Sequence, residues 1–198
     1  MKISPLQLER PEYPEVSVRA NPRVDEKLVD EPLPIKVEAG VSFEADGRHF
    51  VYISIRQEDE NFPYVVRLNA FSIFTFDPEG CRAAYKSAFN PGVIGANVAR
   101  MLFSGARELL AFVTSRAPWG SASLPSLMIE PSDVELQFED GRLPEILENH
   151  FGFTKERIQE LRDAAEAAVA RQDAGEASQT TKTNKRKKRI ETGSKSDA

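Results

Sequence analysis

The side chains best suited to nucleophilic or metal chemistry are few: one cysteine, Cys81, and two histidines, His49 and His150. A structural or catalytic zinc needs three or four Cys, His or carboxylate ligands at close spacing, and no such cluster occurs, so no metal site is expected. A Cys–His nucleophilic pair of Cys81 with either histidine stays open. However, no flanking sequence suggests an elbow or helix N-terminus that would activate the thiol, and its plainer reading is a small buried side chain. Gly92 and Gly95 lack the remaining pattern of a phosphate-cradling loop. Carboxylates are scattered, and Glu58-Asp59-Glu60 reads as a solvated loop rather than an acid–base pair. The residues therefore point away from an enzyme and away from any cofactor.

The basic run Lys185–Arg189 is the other chemically distinctive feature. From Gln172 onward the chain carries +3 while residues 1–171 carry −8, against −5 overall. Such a tail could add salt-dependent, sequence-blind nucleic-acid affinity, or simply solubilise an acidic body. It lacks the interleaved aromatics that stack on bases, which favours the second reading. With one cysteine no intrachain disulfide can form, which fits a reducing compartment. The polar segment Met1–Tyr13 lacks the apolar core of a signal peptide. The longest apolar run, Leu109–Val113, falls far short of the roughly 20 residues a membrane span needs. A soluble, cytoplasmic protein is expected.

The elements that would position these residues are legible in places. Six of thirteen prolines lie in the first 34 residues, so Leu6, Leu8, Val16, Val18 and Ala20 can form at best an interrupted edge strand, followed by a loop from Val24 to Pro34. Ile35, Val37, Ala39, Val41, Phe43 and Ala45 alternate with polar residues, the period of a half-buried strand. Asp46-Gly47 supplies a tight hairpin turn. A second strand puts His49, Val51, Ile53 and Ile55 on one face and Phe50, Tyr52, Ser54 and Arg56 on the other. A third runs from Tyr64 to Phe76, completing an antiparallel meander.

The period then changes. A short helix is expected from Arg82 to Phe89, and a long amphipathic helix from about Ile94 to Arg116, with Val98, Met101, Leu102, Gly105, Leu109, Phe112 and Val113 as its stripe. The segment Ala122–Ile129 reads as a loop, and Pro131-Ser132-Asp133 as the start of a helical turn through Phe138. Thr154 caps a last helix to Arg171, and the polar sequence from Gln172 is expected to be disordered. Two apolar surpluses remain. Phe71 and Ile73 fall on the opposite face of the third strand from Phe74 and Phe76, and Trp119, Leu124, Leu127 and Met128 crowd the loop after the long helix. A second layer or subunit could cover them, or some could form an open binding surface.

Several stretches together resemble the SecB family of export chaperones. Leu102-Phe103-Ser104-Gly105-Ala106-Arg107-Glu108 is similar to the family's Leu-Phe-Pro-Tyr-Ala-Arg-Glu, with Ser104 and Gly105 replacing Pro and Tyr. Val113-Thr114-Ser115-Arg116, the stretch Leu124–Phe138, Ile73-Phe74-Thr75-Phe76 and Ser17-Val18-Arg19-Ala20 follow the family's order. The resemblance spans roughly residues 6–138.

It implies an α+β fold, a four-stranded antiparallel sheet with the long amphipathic helix packed on one face. Residues 1–140 would form this domain, 141–171 a C-terminal helical extension and 172–198 a disordered basic tail. It implies an ATP-independent holdase binding unfolded or partly folded polypeptides in apolar grooves. Carried over by position, the client-binding residues are Phe74, Phe76, Val134 and Phe138, with Leu33 and Trp119 as looser assignments. Protomers would pair as a dimer of dimers, a homotetramer, through Met101, Gly105, Ala106 and Leu109. The acidic positions that dock the translocation ATPase in the family fall at Arg19 and Arg67, a reversal that turns attraction into repulsion. A solitary relative guarding a dedicated client, such as an antitoxin, therefore competes with a role in protein export and transport. The alternative is a non-catalytic adaptor with one fixed protein partner and a basic tail touching nucleic acid.

Overall fold

The computed structural model describes residues 3–24 and 26–163. The chain divides into two compact units, Met1–Gly152 and Phe153–Ala198. The first is α+β. Its strands are β1 (Leu6–Leu8), β2 (Glu12–Ala20), β3 (Lys36–Phe43), β4 (His49–Gln57), β5 (Tyr64–Phe76) and β6 (Val134–Phe138). Its helices are α1 (Pro78–Tyr85), α2 (Pro91–Thr114) and α3 (Leu143–Phe151).

The central meander is as the alternation requires. β3 pairs antiparallel with β4, and β4 with β5, so that Val41 lies opposite Val51 and Val51 opposite Ser72. β1 and β2 lie along the same edge of β5, Leu6 opposite Phe76 and Val18 opposite Val66. The register shifts between Glu12 and Glu15, where Pro14 has no N–H to give to the ladder. The interrupted edge strand is thus two strands on one side of β5.

The sheet differs from expectation at its other edge. It has six strands rather than four, and the sixth pairs parallel to β3, with Val41 opposite Leu136 and Phe43 opposite Phe138. Only Pro131–Asp133 forms a helical turn, and the expected continuation to Phe138 is a strand. Val134, Leu136 and Phe138 alternate with Glu135 and Gln137, a period of two, so the side chains face one side of a pleat rather than one side of a helix.

Both early helices begin before their expected starts, for the same reason. Asp77 accepts a hydrogen bond from the Glu79 N–H (3.1 Å) and Asn90 one from the Val93 N–H (3.0 Å), each with proline at the first helical turn. A capping side chain satisfies an orphan donor, and proline loses nothing there. α3 was not anticipated as a separate helix. It opens on Leu143-Pro144 and ends at Gly152, which is left-handed at φ 67°.

α2 crosses the face of the sheet formed by β3, β4, β5 and β6. Its buried stripe is Ile94, Val98, Leu102, Ala106 and Leu110, with Gly95 allowing close approach to Leu136. Met101, Phe112 and Val113, expected within the stripe, are exposed instead. The helix is apolar on more than one side, so periodicity alone leaves its rotational phase open.

In the second unit residues 155–163 are helical, and Thr154 Oγ1 accepts from the Arg157 N–H at 3.3 Å, the expected cap. The rest of the helix expected to Arg171 and the basic tail from Gln172 lie outside the described residues. Among the described residues no helix is long and apolar enough to cross a membrane.

Candidate functional site

One face of the sheet is covered by α2, and among the described residues no helix packs across the other. Every second residue is buried along β4 and along β5 as far as Phe74, on the face that α2 packs against. The intervening residues build the open face. Across the strands Phe50 sits opposite Ile73, and Tyr52 opposite Phe71 on one side and Gly40 on the other. Phe50 and Tyr52 are 42% and 40% exposed, and Phe71 and Ile73 are half-buried. The two cross-strand pairs place four large apolar side chains side by side on this face.

Tyr52 owes its position to Gly40. A Cβ at residue 40 would collide with the tyrosine ring, so only glycine lets that ring lie across β3. The hydroxyl then reaches β6 and donates to Glu135 Oε2 at 3.2 Å. Burial and the Glu135 charge both raise the Tyr52 pKa.

Beyond the patch the open face turns polar. A cleft of about 430 Å³ is lined by Lys36, Glu38, Ser54, Arg56, Glu58 and Asp59, among others. Lys36 lies directly opposite Arg56, and Arg56 opposite Arg67, an arrangement of like charges that costs stability unless answered nearby. Arg67 is answered by Glu58 at 3.1 Å, and Arg19 by Glu60 at 2.7 Å. Both pairs are solvent-exposed and worth little to stability. Arg19 and Arg67 thus lie on the open face already engaged by acids of the same chain.

The residues assigned to a groove by resemblance are mostly inside the protein. Leu33, Phe74 and Val134 are buried core side chains. Phe76, Trp119 and Phe138 are half-buried. Phe74, Phe76 and Phe138 do come together, through Phe43 and His49, in a cluster of rings. Phe43 stacks on Phe138 at 5.5 Å and meets Phe74 edge-on at 6.0 Å, while His49 lies 5.2 Å from Phe43, Phe74 and Phe76 alike. Leu33 and Trp119 sit elsewhere. Trp119 donates its indole N–H to the Asn21 carbonyl at 2.7 Å, and the Leu33 N–H donates to the Ser123 carbonyl at 3.1 Å.

On the outer side of α2, Met101 is exposed and Gly105 and Leu109 are half-buried, but Ala106 is fully buried against the sheet. Ala106 therefore belongs to the core and cannot line an intersubunit helix contact. Gly105 lies under the Tyr13 hydroxyl. Phe112, 78% exposed, is the most prominent apolar side chain of that surface, and Met128, equally exposed, stands in the loop that follows.

Cys81 and His49 are both buried. Cys81 does fall in the first turn of α1, contrary to the sequence reading, yet its thiol is fully buried and pushed up to about 11 by burial and by Asp77. His49 is lowered to about 4 by burial and by His150, opposed by Asp46. Its Nδ1 accepts the Glu44 N–H at 3.1 Å, which places its proton on Nε2. Among the described residues no group of three or more His, Cys, Asp or Glu could hold a metal ion.

The open-face residues Phe50 and Tyr52 were assigned a face but no role by the sequence. The signal lay in the polar-face positions of a strong period-two strand being aromatic. Phe43, Phe89 and Phe151 gave no local signal of meeting, since a ring cluster assembled from β3, β4, β5, β6, α3 and the segment between α1 and α2 is invisible in sequence.

No family model matches the chain, and no curated protein matches it. Among solved structures the chain is similar to a Mycobacterium tuberculosis SecB-like chaperone in complex with an antitoxin peptide. The identity is 14% and the TM-score 0.41, over 62% of this chain and 90% of that one.

Proposed function

We propose that the protein is a non-catalytic, ATP-independent chaperone that holds unfolded or partly folded polypeptides. The observation that carries this reading is the apolar patch Phe50, Tyr52, Phe71 and Ile73 on a sheet face across which no described helix packs. Clients would lay apolar side chains on this patch, driven by burial at about 25 cal/mol per Å² of apolar surface. The polar cleft at one end would accept the hydrophilic residues that flank such segments. The outer side of α2, with Met101, Leu109, Phe112 and Val113, suits pairing of dimers into a tetramer. The setting would be cytoplasmic, with clients bound for export or a single dedicated client such as an antitoxin. Arg19 and Arg67 favour the second, because they stand where the resemblance calls for acidic side chains to dock a translocation ATPase.

The test is suppression of aggregation of two unrelated unfolded proteins, without ATP and at near-stoichiometric ratio. Wild type should protect both, and Phe50→Asp and Phe71→Asp should each weaken protection with little effect on stability. Protection of neither protein would overturn the holdase reading, and protection of one alone would favour a dedicated partner. Phe74→Asp is uninformative for this purpose, since a charge there would be buried in the core.

A further inference from the structure

The open face carries its side chains in cross-strand rows, and the rows change chemistry in one direction along β4. Phe50 with Ile73 makes the first row and Tyr52 with Phe71 the second. Ser54 with Asn69 makes the third, and Lys36, Arg56 and Arg67 together make the fourth. The order is apolar, apolar, polar, cationic. Alternate residues of a strand share a face and each residue adds about 3.3 Å, so Phe50 and Arg56 lie roughly 20 Å apart.

The fourth row is out of character for this protein. Residues 1–171 carry a net charge of −8, yet here three cations stand directly opposite one another on neighbouring strands. Like charges in that register destabilise a sheet. Several acids nearby are engaged elsewhere. Glu58 pairs with Arg67 at 3.1 Å, Asp59 Oδ1 accepts from the Asn61 backbone and side chain at 2.9 and 2.7 Å, and Glu15 accepts from Asn69 at 2.7 Å. Among the described residues Lys36 and Arg56 make no ion pair and no hydrogen bond. Both line the cleft of about 430 Å³, together with Glu38.

We infer that the open face docks an extended polypeptide segment carrying two apolar side chains and, on one flank, an acidic one. Side chains i and i+2 of such a segment meet the two apolar rows, and i+6 meets the cationic row. Charge complementarity selects this occupant. A carboxylate between Lys36 and Arg56 answers both charges, and a guanidinium can hold it through two parallel hydrogen bonds. Single-stranded nucleic acid also offers stacking and anionic groups. However, a phosphate on every unit would run past Glu38, Glu58 and Asp59, which line the same cleft, whereas one carboxylate would not. The inference rests on the chaperone reading above and narrows its clients to apolar segments flanked by acid.

The experiment titrates two peptides into the full chain by calorimetry at low salt. One has phenylalanine and isoleucine two apart and glutamate four residues further on, and the other has glutamine in place of that glutamate. The glutamate peptide should bind about tenfold more tightly, and salt should shrink the preference. Arg56→Gln should abolish the preference while raising the urea midpoint, because it removes the middle of three like charges. An arginine with a purely structural role would lower that midpoint. Lys36→Gln should reduce the preference in the same way, which keeps the test intact if Arg56→Gln folds poorly. Glu38→Gln should tighten the glutamate peptide about twofold by removing a repulsion.

Equal affinity for the two peptides overturns the proposal, as does a preference that survives in both Arg56→Gln and Lys36→Gln. Tighter binding of oligothymidylate than of the glutamate peptide also overturns it and makes the face a nucleic-acid platform. If neither peptide binds while the same preparation suppresses aggregation of unfolded proteins, the docking proposal falls and the holdase reading stands. Failure to suppress aggregation with the peptide preference intact overturns the holdase reading alone.

Discussion

Lowering the pH from 7 to 5 should destabilise the protein through a single buried imidazole. His49 is 1% exposed and ringed by Phe43, Phe74 and Phe76, and its Nδ1 already accepts the Glu44 N–H. Protonation would place a second proton on Nδ1 against that donor and bury a charge among aromatics. The folded pKa is about 4 against 6.5 for the ordinary group. Because it is depressed, the unfolded chain binds the proton first. Stability is full above pH 6.5 and falls as the pH drops from 6.5 toward 4. A shift of that size corresponds to about 3 kcal/mol in all, of which about 2 kcal/mol falls between pH 7 and pH 5.

The assay is urea unfolding at pH 7, 6 and 5, followed by the fluorescence of Trp119, the single tryptophan. His49→Asn keeps an acceptor for Glu44 but cannot titrate, so its loss over the same range should be smaller by about 2 kcal/mol. Groups remote from residue 49 contribute equally to both proteins and cancel in the difference. Identical pH dependence of the two proteins would refute the assignment of a buried, neutral His49.

Gly40→Val should cost about 2 kcal/mol or more by overpacking against the Tyr52 ring, measured by urea unfolding. Adding Tyr52→Ala should recover most of that loss, and a strictly additive double mutant would show that ring and glycine are uncoupled. Cys81 should resist thiol reagents at pH 8 in the folded protein and react on unfolding, since its thiol is buried and raised to about 11. Rapid native labelling would contradict that placement. Phe112→Asp should leave monomer stability within about 0.5 kcal/mol, because the side chain is exposed. If α2 mediates pairing of dimers, the same variant should lower the mass seen by light scattering.

How much of this was legible beforehand depended on whether the signal was local. The alternation in β3, β4 and β5 fixes a half-buried strand within each segment, because successive side chains must take opposite faces. The buried faces observed follow that rule residue by residue. The apolar density of 91–114 likewise fixed a long helix, though not its phase. Ala106 and Leu110 face the sheet while Met101 and Phe112 face outward, a choice made by which side chains fit β4, β5 and β6.

Tertiary structure decided what had no local expression. Val134–Phe138 became a strand because β3 presents an open parallel edge far back in the chain, where Val41 meets Leu136. Phe74 and Val134 left the candidate groove for the core because α2 covers the face on which their strands place them. Phe76 packs on Phe151 of α3 and Phe138 on Phe43, in a ring cluster assembled from several separate elements. The scarcity of reactive residues was determined by composition. Which apolar side chains remain exposed was determined only when the sheet, α2 and α3 had taken their shares.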